Sequence, residues 1–208
     1  MYAERGDLGG AETLYRRADK LGHANGAFNL AVLREHRNDR VGAEDAYRRA
    51  DERGSALAAF NLGVLLEQRG VRADAEAAYR RADERGSAAA AARLGGLLGE
   101  RGDIGGAEAA FRRADERGDA GAAFNLGGLF AERGDLTAAE AAFHRADERG
   151  HGGGAFNLGV LLEERGDLAG AESAYVRAEQ RGHGEVAEMA RAALLGALGS
   201  PLSPTSPA

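Results

Sequence analysis

The chain has 208 residues, 27 of them basic and 33 acidic, for a formal net charge of −6; it contains 32 glycines and no cysteine. That balance gives no electrostatic pull toward nucleic acid or an anionic membrane, and the missing cysteines exclude disulfides and thiolate metal sites. Aromatic residues make up only 6%, so each side chain buries little area and a single compact core would be poor. No apolar run approaches the roughly 18 residues of a membrane span, and the first residues lack a signal-peptide pattern, which makes the cytoplasm the expected location. Lys20 is the only lysine, an arginine bias that points to a GC-rich bacterial genome.

Met1–Arg5 align with Leu65–Arg69, the last turn of a helix whose beginning is missing, so residues 1–22 read as a partial repeat. The helix expected over Leu8–Lys20 then lacks its partner, leaving an apolar face that includes Leu14 and Tyr15. Either the chain is a piece of a longer protein or this end associates with another chain. From residue 23 to 182 five units follow at a spacing of 32 residues. "FNL" begins at Phe28, Phe60, Phe124 and Phe156, and reads "ARL" from Ala92; "RAD" begins at Arg17, Arg49, Arg81, Arg113 and Arg145 and becomes "RAE" at Arg177.

Within one unit, Ala58, Ala59, Leu62, Leu65 and Leu66 share a stripe at helical spacing over Ser55–Arg69. A second helix is expected over Arg72–Arg85, with Ala75, Ala78, Tyr79 and Ala82 on one face and Glu76–Arg80 paired on the other. Gly70 and Gly86 suit the left-handed residue that ends a helix, and Ser87 or Asp119 can cap the next. The third unit departs, with Ala92 and Arg93 in place of Phe-Asn and with Gly96 and Gly99 inside the helix, each costing ~1 kcal/mol relative to alanine. A twelfth helix is expected near Glu185–Leu198, where "FNLG" becomes Glu188, Met189, Ala190 and Arg191. Polar substitution of this kind closes an array, so 183–199 reads as a cap. The tail 200–208, "SPLSPTSPA", is expected to be disordered.

Arg-Gly-Asp, familiar as an adhesion signal, begins at Arg5, Arg101, Arg117, Arg133 and Arg165. A plainer role suffices: Arg165 closes a helix at its negative end, Gly166 turns the chain and Asp167 caps the next helix.

A helix pair with "NLG" early and A-E-x-A-Y/F-x-x-A later resembles the tetratricopeptide repeat (TPR), and "FNLGVLLEERGDLAGAESAYVRA" from Phe156 carries most of that signature. The spacing departs from the family's usual ~34 residues. The stretch "RRADERGSALAAFNLG" from Arg48 is similar instead to the Sel1-like repeat, where one glycine joins consecutive units; the tetratricopeptide proline is absent. The resemblance covers residues 1–182. It implies an all-α, right-handed solenoid of stacked helix-turn-helix units that binds other proteins, whereas the periodicity alone implies only stacked hairpins.

In solenoids of this kind the first helices line the concave surface. Leu62, Leu65 and Leu66 face the partner helix, while Leu57, Phe60 and Val64 fall nearly opposite with Asn61 beside them. The candidate partner-binding set is therefore Phe28, Asn29, Phe60, Asn61, Val64, Arg93, Phe124, Asn125, Phe156, Asn157 and Val160. Each amide offers one acceptor and two donors, matching the peptide group of an extended ligand. Alternatively, each asparagine ties its helix to the adjoining unit and each phenylalanine packs between neighbouring helices; the two roles can coexist. Arg93 is either a contact for a ligand carboxylate or a drifted position. The carboxylate clamp of some tetratricopeptide domains is rejected, because Asn61 and Arg93 match but Phe28, Val32 and Ala89 fill its other places.

His23, His151 and His183 share one helix-start position and read as capping variation rather than metal ligands. The "GGG" from Gly152 lacks the lysine of a phosphate cradle. Asp and Glu alternating with arginine on the second helices read as a solvated, mutually paired face. No catalytic constellation appears, so no enzyme activity, cofactor or metal is expected. The expected function is a protein-interaction scaffold holding a protein or peptide ligand, without nucleic acid or membrane. The alternatives are an assembly module that forms a homo-oligomer through the exposed N-terminal helix face, or the regulatory fragment of a larger protein.

Overall fold

The computed structural model describes residues 8–182 and 184–199. The expectations placed on Met1–Arg5, on His183 and on the tail 200–208 fall outside those residues. Among the described residues every regular element is an α-helix, and the helices alternate as the sequence spacing requires. The chain forms two compact units, Met1–Ala110 and Phe111–Ala208, divided within one helix. The first contains α1 (Leu8–Lys20), α2 (Ala24–His36), α3 (Arg40–Glu52), α4 (Ala56–Gln68), α5 (Arg72–Glu84), α6 (Ala88–Glu100) and the start of α7 (Ile104–Glu116). The second contains the end of α7, then α8 (Ala120–Glu132), α9 (Leu136–Glu148), α10 (Gly152–Glu164), α11 (Leu168–Arg181) and α12 (Glu185–Gly199).

Helix length is set by punctuation. Gly70 and Gly166 adopt φ of +77° and +86°, a left-handed turn that ends one helix and lets the next fold back. Asn38, at φ +61°, does the same at the first hairpin turn. Asp39, Asp135 and Asp167 then accept the backbone N–H of Gly42, Ala138 and Gly170, while Ser55, Ser87 and Asp119 accept that of Ala58, Ala90 and Ala122. The Arg-Gly-Asp tripeptides at Arg117 and Arg165 are thus helix stop, turn and cap.

Within each unit, even-numbered (leading) helices pack on the odd-numbered (trailing) helix that follows: α2 on α3 and α4 on α5 in the first, α8 on α9 and α10 on α11 in the second. The predicted stripes are buried: Ala58, Ala59, Leu62, Leu65 and Leu66 on α4, and Ala75, Ala78, Tyr79 and Ala82 on α5. Small residues let the helices approach until the one large ring has to fit. A Cβ on Gly63 would lie 2.6 Å from the Tyr79 ring, and one on Gly127 or Gly159 would crowd Phe143 or Tyr175 equally. The last residue of "FNLG" is therefore a socket for the trailing helix's aromatic ring. In the first hairpin Ala31 holds that place, and the Phe28–Tyr47 rings open to 53° from the 44–48° of the other pairs.

Trailing helices also pack on the next leading helix: α1 on α2, α3 on α4 and α5 on α6 in the first unit, α9 on α10 and α11 on α12 in the second. Along these junctions the charged residues depart from the solvated face read from the sequence. Asp19, Asp51, Asp115 and Asp147 are only 3–7% exposed. Asp19 receives Arg49 through Nε and Nη2 (3.0 and 2.7 Å to Oδ2) and Arg53 through Nη1 (2.6 Å). Asp51 receives Arg81 and Arg85, Asp115 receives Arg145 and Arg149, and Asp147 receives Arg177 and Arg181. The correction has a plain cause: both arginines come from the following repeat, which a helical wheel drawn on one helix does not include. A second, more exposed set of pairs joins Glu12 to Arg37, Glu44 to Arg69, Glu76 to Arg101 and Glu140 to Arg165.

Candidate functional site

The leading helices carry the residues singled out as a binding face. Phe28, Phe60, Phe124 and Phe156 are half-buried, as are Asn29, Asn61, Asn157, Val64 and Val160; Asn125 and Arg93 are exposed. Leu57, two residues into α4, is 56% exposed.

Each phenylalanine leans on the aromatic residue of its own trailing helix. Phe28–Tyr47, Phe60–Tyr79, Phe124–Phe143 and Phe156–Tyr175 are tilted pairs with centroids 5.6–5.9 Å apart. This corrects the helical-wheel placement of Phe60 nearly opposite the partner helix: the ring is long enough to reach sideways onto Tyr79. In the second unit Phe124 is also covered by the start of the next leading helix, where His151 stacks on it at 4.6 Å and 23°. The phenylalanines therefore pack between helices and keep part of each ring exposed.

The asparagines divide. Asn61 donates from Nδ2 to the Tyr47 hydroxyl at 3.3 Å, tying α4 to the preceding hairpin. Phe143 stands in the tyrosine's place ahead of Asn157, as Phe111 does ahead of Asn125, and neither ring offers a hydroxyl. Arg93, where the third unit departs from the pattern, lies 3.9 Å from Glu67 and is 57% exposed, so it answers a carboxylate of its own chain.

The sequence reading missed the carboxylates. Tyr47 and Tyr175 donate to Glu35 and Glu163 at 2.8 and 2.7 Å, and Tyr79 donates to Glu67. Burial, followed by the nearby glutamate, pushes all three phenols well above their ordinary pKa, so they remain neutral donors. A signal for this was present in the sequence. Twelve residues before each of these tyrosines stands glutamate; twelve before Phe111 and Phe143 stand Gly99 and Ala131. Where no hydroxyl needs an acceptor, none is supplied.

A shallow cleft of ≈ 430 Å³ opens elsewhere, between the start of α9 and the end of α10, lined by Leu136, Thr137, Glu140, Leu161, Glu164 and Arg165. It contains none of the predicted site residues. No described helix is long and apolar enough to cross a membrane.

No protein-family model and no curated protein matches the sequence. Solved structures do match the fold. A Sel1 repeat protein from Oxalobacter formigenes superposes with a TM-score of 0.70 at 21% identity, over 88% of this chain and 58% of that one. The chain thus spans little more than half of that relative's length. YrrB, described as a TPR protein with an unusual peptide-binding site, gives 0.59 at 22% identity over 86% of this chain and 97% of its own. BtubC from P. vanneervenii gives 0.60 at 20% identity, covering 100% and 97%. The fold is that of the Sel1 and TPR helical-repeat proteins.

Proposed function

We propose that the protein is a non-enzymatic interaction scaffold whose leading helices hold a segment of a partner protein. The observation that carries this reading is, within each unit, a set of aromatic and amide residues on the leading helices whose bonding capacity is only partly used. Exposed Leu57 and the half-buried phenylalanines offer apolar surface, and exposed Asn125 offers an amide. Asn61 commits one N–H to Tyr47, and its amide has a second N–H and a carbonyl oxygen with which to meet a ligand. An extended segment would gain backbone hydrogen bonds from the amides and burial against the rings. The peptide-binding site named for YrrB supports a peptide as the ligand class.

The test is a pull-down in which wild type is compared with Asn125→Ala/Asn157→Ala. Asn125 is exposed and Asn157 lacks the tyrosine anchor given to Asn61, so the fold should survive the change. Loss of one or more partners is expected; equal recovery of every partner would remove these amides from the binding face.

We further propose that α12 closes the array. Arg191 occupies the place held by Gly63, Gly127 and Gly159, and its guanidinium is held by Glu179 at 2.8 Å. With the long Arg191 side chain in that socket, α12 cannot seat an aromatic ring as α4, α8 and α10 do.

A further inference from the structure

We propose that His151-Gly152-Gly153-Gly154 is a proton-operated latch: neutral His151 holds the start of α10 closed over Phe124, and protonation releases it. The Nδ1 atom of His151 accepts the backbone N–H of Gly154 at 3.1 Å, capping the helix. The same imidazole stacks on Phe124 at 4.6 Å. One ring therefore both starts the helix and covers the neighbouring aromatic.

The segment has little else to keep it helical. Glycine is the poorest helix former after proline, and three open this helix. Packing holds two of them to glycine. A Cβ on Gly152 would lie 2.6 Å from the backbone nitrogen of Gly182, and one on Gly154 would lie 2.6 Å from the Cβ of Ala146. The first turn of α10 thus depends on its cap more than those of α4, α6 and α8, which begin on alanine and hold at most one glycine there.

Those sister helices are capped through side-chain oxygens, of Ser55, Ser87 and Asp119, rather than through an imidazole nitrogen. The Nδ1 atom of His151 can accept only while unprotonated. Once protonated it presents a donor to the Gly154 donor and a positive charge to the positive end of the helix.

Burial and the charged groups around the latch act in opposite directions. Asp119, at the entry to α8, attracts the imidazolium. Arg149, at the end of α9, is occupied by Asp115 and reaches the Asp119 carbonyl at 3.4 Å. Asp147 on α9 and Arg181 on α11 are paired with each other at 2.7 Å. Burial outweighs Asp119 and lowers the His151 pKa from its usual 6.5. A base with a depressed folded pKa contributes its full stability above the unfolded value. That contribution is lost as pH falls below 6.5 through the folded pKa, because the unfolded segment binds the proton first. Acidification therefore opens the first turn of α10 and removes the imidazole from Phe124, with consequences for ligand binding that rest on the function proposed above.

The test needs no ligand, so its failure is distinct from failure of that function. In a titration from pH 7.5 to 5 followed by NMR, the His151 ring and the protection factor of the Gly154 amide are tracked together in wild type and in His151→Ser. Serine caps the equivalent helix starts at Ser55 and Ser87 and does not titrate. The expected wild-type result is at least a tenfold fall in Gly154 protection, with the ring's midpoint below 6.5; His151→Ser should stay flat. Constant wild-type protection, a midpoint at or above 6.5, or the same fall in His151→Ser would each overturn the latch.

Discussion

A hydroxyl on a buried ring has to be satisfied, and Tyr47, Tyr79 and Tyr175 each meet a glutamate acceptor from their own hairpin. Tyr175 lies over Gly159 and donates to Glu163, four residues further along the same helix. Removing the hydroxyl by Tyr175→Phe costs one hydrogen bond to a carboxylate, about 1 kcal/mol at this part-exposed site. Glu163→Ala leaves the hydroxyl unanswered at comparable cost. The double variant reproduces the Phe143/Ala131 combination of a sister repeat, so its loss should fall about 1 kcal/mol short of the sum. Urea midpoints of the four proteins measure this coupling. Strict additivity would mean that the pair contributes nothing beyond its parts. The coupling could be read from the sequence only by comparing repeats at one offset, because within one repeat a glutamate near a helix end looks like surface.

At the scale of the element, the stripes, turns and caps were legible because each is a local pattern. The apolar spacing of Ala58 to Leu66, the left-handed Gly70 and the cap Ser55 all lie within one turn or one helix. The junction charges were not legible in that way. Asp51 meets Arg81 and Arg85, 30 and 34 residues later, and the three form a site only once hairpins stack. Phe60 was misplaced for a related reason: a wheel gives the direction of the Cβ, not the reach of a ring. Burial also separates the two sets of ion pairs in strength. Asp51→Asn keeps the shape but turns an amide N–H toward two guanidinium groups, and should lower stability by about 2 kcal/mol. Glu76→Gln acts on Arg101, which is 57% exposed, and should cost under about 1 kcal/mol. Chemical denaturation of both variants checks the contrast. Equal losses would show that burial of the aspartate contributes nothing to the junction.

For the whole molecule, the 32-residue period fixed the class of fold, since in a helical-repeat array stability sums over hairpins and junctions. Binding was less legible, because equivalent positions on leading helices differ in what they meet: Asn61 bonds Tyr47, whereas Asn125 is exposed. Summation over junctions also gives the chain a collective acid response. Burial alone would raise the pKa of Asp19 and Asp115, but hydrogen bonds and charge from Arg49 and Arg53, and from Arg145 and Arg149, outweigh it and hold both below the usual 3.8. For an acid with a depressed folded pKa, the stabilisation is complete above the unfolded value and is lost as pH falls through the folded one. Stability against urea should therefore vary little with these groups above about pH 4 and fall below 3.8, in a window separate from that of His151. In Asp19→Asn/Asp115→Asn the neutral-pH stability is lower and the fall is shallower, because two proton-binding sites that distinguish folded from unfolded chain are gone. An unchanged slope in that variant would assign the acid response to other carboxylates and leave these two aspartates with a purely geometric role at the junctions.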